Sequence, residues 1–253
     1  MDLAFEVHGA GGTPVVLIHS PGVDSREWKY VAPLLADQMQ VITYDARGMG
    51  RSPAPEEPTS LVEDLRALLD HLGLARVSLV GHSMGGQAAT DFALTYPDRV
   101  ARLALLAPSL TGFEPEPDFV RWMTEVNACA PDVERLVNKS LGGPNYRVVM
   151  NSGEREFLQE MHTAYMTRVF SQWKSFEVNW PQPPAIERLE QLRCETLFVH
   201  GTVEWPDMLR VAEQFERVPN VRFARIDEAD HMLTLTHPGQ LARLLVPFLD
   251  GTL

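Results

Sequence analysis

Ser83 lies between two glycines, in Val80-Gly81-His82-Ser83-Met84-Gly85-Gly86, where an apolar run ends and a helical stretch begins. A serine on a tight strand-to-helix turn projects its hydroxyl clear of a sheet. Side chains at positions 81 and 85 would collide with the neighbouring strand and helix, so glycine is needed at both. A helix opening behind the serine favours developing negative charge, and the Met84 N–H can point at an oxyanion. A bare G-x-S-x-G also occurs in ordinary glycine-rich loops. The strand before it and the helix after it are what single it out here.

The surrounding chain supplies the sheet that such a turn needs. Pro14–His19, Met39–Tyr44, Val77–Val80, Leu103–Leu106, Thr196–His200 and Val221–Ile226 read as strands. Continuous apolar runs, of which Pro14–His19 is the clearest, suit strands buried on both faces. Ser60-Leu-Val-Glu63 has the spacing of a capping box. Leu61, Leu65, Leu68, Leu69 and Leu72 follow as a helical stripe that Gly73 ends. This alternation predicts an α/β fold with a mostly parallel central sheet and helices on both faces. The pattern breaks between residues 111 and 193, where prolines bracket helical segments at 119–129, 133–141 and 155–173. The expected division is a core of residues 1–110 and 194–253, with 111–193 as a helical cap inserted into it.

Charge and motif content narrow the function. Over 253 residues, 34 acidic side chains face 22 basic ones, a net charge of −12. Such a surface repels phosphate backbones and anionic lipid, so neither nucleic acid nor a membrane is an expected partner. No apolar run reaches the length of a membrane span. Met1–Gly12 lacks the basic start and apolar core of a signal peptide, and the expected location is cytoplasmic. Two cysteines, Cys129 and Cys194, make no disulfide framework. No H-E-x-x-H or paired Cys/His spacing suggests a metal. Gly48-Met-Gly50 follows the second strand and lacks the third glycine of a dinucleotide loop. The expectation is an enzyme without cofactor, acting on a small molecule as a monomer or homodimer.

A serine nucleophile needs a base, and the base needs an orienting carboxylate. Of eight histidines, His231 has the best context, just after the last strand and before the final helix. In the chain order Ser…acid…His, the acid belongs at the end of the strand Thr196–His200. Glu204 lies four residues beyond that strand and Asp207 three further on, behind Pro206. Glu204 is the better placed.

Read together, these segments resemble the α/β-hydrolase superfamily. Leu17-Ile-His-Ser-Pro-Gly22 with Trp28 looks like its oxyanion loop, and Tyr44–Ser52 like its Asp-x-Arg-Gly-x-Gly-x-Ser loop. Leu79–Gly86 looks like the nucleophile elbow and Tyr96–Val100 like the connection after it. Val199–Glu204 looks like the acid loop and Asp230-His231 like the histidine loop. The insertion sits where the family carries its cap. The nearest group is that of small esterases, enol-lactonases and C–C-bond hydrolases, which implies no cofactor.

The resemblance implies Ser83, His231 and Glu204 as a catalytic triad acting on an ester, lactone or activated ketone. It implies an oxyanion hole from Met84 and the loop of Ser20, Pro21 and Gly22. His19, His82, Trp122, Trp173 and Trp205 are expected at the substrate pocket, and the aromatic, Met-rich cap suggests an apolar or aromatic substrate. Three departures stand out. The acid is Glu where Asp is commoner, Ser20 follows His19 where glycine is usual, and Pro21 has no N–H to give. Losing one oxyanion donor costs about 2.7–4 kcal/mol of transition-state stabilisation. C–C-bond hydrolysis or a cofactor-free lyase or cyclase reaction on the same triad is therefore the alternative. A non-catalytic ligand receptor on this fold is the second.

Overall fold

A computed structural model describes residues 1–252. Seven strands form one sheet: β1 (Phe5–His8), β2 (Val15–Ile18), β3 (Val41–Tyr44), β4 (Val77–His82), β5 (Val100–Leu106), β6 (Glu195–Gly201) and β7 (Val221–Ile226). Their order is β1-β3-β2-β4-β5-β6-β7, with β1 antiparallel to β3 and the other pairs parallel. The central strands β2, β3 and β4 are buried along their whole length, as their apolar runs require. β1, Phe-Glu-Val-His, is the one strand the sequence pattern does not predict. It is a half-exposed edge with no continuous apolar run.

The helices are α1 (Val31–Ala36), α2 (Leu61–His71), α3 (Met84–Thr95), α4 (Pro117–Asn127), α5 (Val133–Leu141), α6 (Arg155–Gln172), α7 (Pro206–Phe215), α8 (Leu233–Thr236) and α9 (Pro238–Asp250). At α2 the Ser60 hydroxyl accepts the Glu63 N–H at 3.3 Å. The reciprocal half of the expected capping box is replaced. The Glu63 carboxylate instead accepts from Arg66 at 2.7 Å and from the Tyr96 hydroxyl at 2.5 Å.

The chain reverses direction across the sheet at β2, whose neighbours β3 and β4 lie on opposite sides. Loops leaving the carboxyl ends of β2 and β4 flank that reversal, the usual ligand crevice of an open α/β sheet. Between β5 and β6 the chain leaves the sheet for α4, α5 and α6. Part of its apolar content forms a core of its own around Val137, Leu141, Leu158 and Met161, packed on Val23, Met232 and Leu235 of the sheet loops. The rest lines a cavity above the strand ends.

Candidate active site

The turn after β4 holds Ser83 at φ 55°, ψ −118°, a backbone conformation L side chains rarely adopt. The surrounding fold enforces it. The Ser83 N–H donates to the Leu106 carbonyl at 2.9 Å, and the Ser83 carbonyl accepts from Gln87 and Ser109, both at 3.0 Å. A Cβ on Gly81 would lie 2.4 Å from the Gly85 carbonyl oxygen, and one on Gly85 would lie 2.2 Å from the Ile18 carbonyl oxygen. The close approach of β2, β4 and α3 thus needs glycine at both places. The Ser83 hydroxyl has no hydrogen-bond partner among the described residues and faces a cavity of about 720 Å³.

His231 and Glu204 line the same cavity. Glu204 follows β6 and precedes α7, and both its carboxylate oxygens lie 3.3 Å from His231 Nδ1. That contact makes Nδ1 the donor and leaves Nε2 as the basic nitrogen. Burial lowers the pKa of His231, but Glu204, then Asp230 and Glu27, outweigh it, and the net shift is upward from the ordinary value. The imidazole packs against the His82 ring, next to Ser83, with centroids 4.8 Å apart, and edge-on to Tyr146 at 6.1 Å.

The loop bearing His231 is tied to the inserted helices. The His231 N–H donates to the Asn145 carbonyl at 3.0 Å. Asp230, fully buried, accepts the N–H groups of Val148, Val149 and Met232 at 2.7, 2.8 and 3.1 Å. Asp207, the other carboxylate considered for the acid, is engaged elsewhere. It accepts the Glu116 N–H at 3.0 and 3.2 Å, ahead of α4.

A second buried carboxylate, Glu27, was not singled out from the sequence. It is fully buried and saturated with donors. The Ser20 N–H and hydroxyl donate to it at 2.8 and 3.2 Å, the Thr234 hydroxyl at 3.1 Å, and His82 Nδ1 closely. Burial would raise its pKa, but His82 and the Ser20 N–H hold it down at about 2. One anion thus joins the loop after β2, the elbow and the helix after His231.

Several expected pocket residues turn out to be structural. His82 is buried beneath the cavity on Glu27 and does not line it. His19 is spent on backbone: Nδ1 donates to the Ser20 carbonyl at 2.7 Å, and Nε2 accepts the Ala46 N–H at 2.9 Å. The Ser20 hydroxyl is committed to Glu27 and cannot serve an oxyanion. Trp173 donates to the Gly48 carbonyl at 3.3 Å and stays outside the cavity. Trp122 and Trp205 do line it, 5.7 Å apart, with Phe113, Phe119, Phe170 and Phe176. Pro21 and Gly22 form its wall near Ser83. His162 and Asn145, which line it too, were not singled out from the sequence. Among the described residues no three His, Cys, Asp or Glu side chains gather as a metal site. Among the described residues no helix is long and apolar enough to cross a membrane.

Residues 13–238 match the family model for the alpha/beta hydrolase fold. The chain belongs to the alpha/beta hydrolase family. It is 27% identical to a putative carbamate hydrolase, RutD, of Caulobacter vibrioides, over 98% of this chain and 96% of that one. It is 30% identical to the 2-hydroxy-6-oxo-2,4-heptadienoate hydrolase of Pseudomonas putida, over 77% and 74%. The enol-lactonase of Burkholderia xenovorans superposes with a TM-score of 0.77 over 98% of this chain and 96% of that one, at 20% identity. Of two further curated relatives the chain spans only 30% and 59% of the length.

Proposed function

We propose that the protein is a serine hydrolase of esters or lactones of small apolar or aromatic acids. Ser83 is the nucleophile, His231 the general base and Glu204 the group that fixes the imidazole. The observation that carries this reading is the shared cavity. An unbonded serine hydroxyl on a strained turn opens into the same space as an imidazole whose Nδ1 is held by a carboxylate.

His231 Nε2 takes the Ser83 proton as Oγ attacks the carbonyl. The ring returns that proton to the leaving alcohol, and water attacks the acyl-enzyme by the same path in reverse. For the oxyanion we assign the Met84 N–H, at the opening of α3, and the Gly22 N–H. Gly22 borders the cavity next to Pro21, which has no N–H to offer. Residues 111–193 serve as the cap: Phe113, Phe119 and Trp122 give an apolar wall, and the rest of the segment holds them in place.

Wild type should release p-nitrophenol from p-nitrophenyl acetate, and Ser83→Ala should be slower by at least 10³-fold. Equal rates would refute the acyl-enzyme route. Pro21 keeps a second reading in play, in which the same groups first move protons and then cleave a C–C bond. Turnover of a dienoate with negligible esterase activity would select it.

A further inference from the structure

The helix that begins at Ser83 carries a buried carboxylate that the proposed triad does not use. Asp91 lies on α3, eight residues past Ser83, and has no exposed surface. Both of its oxygens accept the Thr111 hydroxyl, at 3.2 and 3.0 Å. That hydroxyl in turn accepts the Ala185 N–H at 2.8 Å, and the Thr111 carbonyl accepts the Ile186 N–H at 3.2 Å. Thr111 stands where the chain leaves the sheet for the inserted helices, and Ala185 and Ile186 where it returns. The two necks press together there. A Cβ on Gly112 would lie 2.6 Å from the Ile186 side chain and 2.9 Å from that of Pro184. A single carboxylate on the nucleophile helix thus fastens both ends of the insertion.

Arg188, just past Ile186, faces this junction without completing it. Its Nη2 is 3.9 Å from Asp91 Oδ1, beyond hydrogen-bond distance. Nε and Nη2 are both buried and have no acceptor among the described residues. Buried donors without an acceptor are costly, and here a carboxylate with free lone pairs stands opposite them. A shift of about 1 Å in the returning neck would bring the pair into a charge-assisted hydrogen bond.

Burial pushes the Asp91 pKa up to about 6, against the lowering effect of Thr111 and Arg188. The raised value means that folding favours the neutral acid. Its contribution to stability is present below 3.8 and lost as pH rises through 6, so at neutral pH the fold carries the anion at a cost that closure onto Arg188 offsets. The other charged groups on the elements around α3 are engaged elsewhere. On α2, Glu63 and Asp70 pair with Arg66, and Asp64 with Arg47. On β4, His82 is held by Glu27; Arg102 on β5 pairs with Glu195, and Arg99 before it with Asp70. His71, Asp98 and Glu187 are exposed.

We propose that Asp91 and Arg188 form a latch that seats the inserted helices on α3, which makes Asp91 a positioning residue for the substrate cavity. The wall it sets is Leu110 and Phe113, on either side of Thr111, and both line the cavity. An acyl chain long enough to press on that wall is bound with the necks drawn in and Arg188 closed on Asp91. An acetyl group does not reach it. The proposal rests on the serine-hydrolase reading for its substrate, but not for the latch itself.

The kinetic test compares p-nitrophenyl acetate with p-nitrophenyl hexanoate. Asp91→Asn keeps an acceptor for Thr111 and removes the charge. Arg188→Met keeps an unbranched stem and removes the donors. Each should raise KM for the hexanoate at least fivefold with kcat within twofold, and leave both constants for the acetate within twofold. In wild type the hexanoate KM should rise at least threefold as pH falls from 7.5 to 5.5, and Asp91→Asn should flatten that rise. A merely structural role would lower kcat for both esters alike, through the fraction of folded enzyme, and leave KM unmoved. An unchanged hexanoate KM, a loss shared equally by the two esters, or a pH dependence of KM as large in Asp91→Asn as in wild type would each overturn the proposal.

Hydrogen exchange read by mass spectrometry needs no substrate. The peptide spanning residues 182–190 contains the Ala185 and Ile186 N–H groups that bond Thr111. Corrected for intrinsic rates, its protection at pH 7.5 should fall at least tenfold in either variant, while peptides of β4 keep theirs. A wild type that turns over neither ester refutes the hydrolase reading alone, and exchange then decides the latch. Loss confined to the neck supports it; protection unchanged, or lost equally in β4, overturns it. Should Asp91→Asn not fold, Arg188→Met carries the same measurements.

Discussion

Replacing Glu27 by Gln tests whether one buried anion holds three active-site loops together. The carboxylate accepts four donors: the Ser20 N–H and hydroxyl on one oxygen, and His82 and Thr234 on the other. An amide has a single acceptor oxygen, so its NH2 must face the donors on one side or the other. Each stranded donor costs about 1–3 kcal/mol. An independent route gives a similar size. The depression of the Glu27 pKa from 4.5 to about 2 corresponds to about 3 kcal/mol of folded-state preference for the anion. Because the folded pKa lies below the unfolded one, this contribution is present above pH 4.5 and is lost as pH falls toward 2.

Glu27→Gln should therefore melt roughly 6–12 °C below wild type at pH 7, at about 2–4 °C per kcal/mol for a domain of this size. Differential scanning calorimetry should show the gap narrowing as the pH is lowered through the acid range. Esterase kcat/KM should fall at least tenfold as Ser20, His82 and Thr234 relax. Melting within about 1 °C of wild type at pH 7, with unchanged kcat/KM, would refute the reasoning.

The remaining predictions concern the reacting groups. His231 must be neutral to act as base and its pKa is raised, so the acid limb of kcat/KM should lie above the ordinary histidine value of 6.5. Glu204→Gln removes the largest upward influence and should move that limb to lower pH while reducing kcat; a pH–rate series reads both. Pro21→Ala restores an N–H, yet if Gly22 already donates to the oxyanion, kcat should change less than about threefold. A rise of about 10²-fold, the weight of one oxyanion donor, would show that the hole lacks a member. Gly85→Ala places a Cβ 2.2 Å from the Ile18 carbonyl oxygen and should lower thermal stability by about 1–3 kcal/mol or more. A melting temperature equal to wild type would show that β2 and α3 can part at no cost.

The sheet was legible because its central strands are continuous apolar runs, and burial on both faces demands such runs. β7 also emerged from its run, whereas β1 did not: Phe5–His8 is held by backbone pairing to β3 and by little apolar content. The elbow was legible for a steric reason. Only glycine fits at 81 and 85, so the geometry is written into residue identity. The supports of the site were not legible. Glu27 is set by partners 7, 55 and 207 residues away, and nothing local distinguishes it from a surface glutamate. His162 lies 140 residues from Gly22, in a helix whose other faces are mixed. Asp230 was visible only as the neighbour of His231, while its three backbone partners come from Val148, Val149 and Met232. His19 and His82 lie beside the elbow, but both ring nitrogens of His19 are occupied by backbone and Nδ1 of His82 by Glu27.

The most direct test of the account is covalent labelling with a fluorophosphonate, read by mass spectrometry of the digested protein. The account predicts one adduct, on the peptide that contains Ser83, absent in Ser83→Ala and formed far more slowly in His231→Ala. Label on another residue, or labelling at Ser83 that is indifferent to His231, would contradict it.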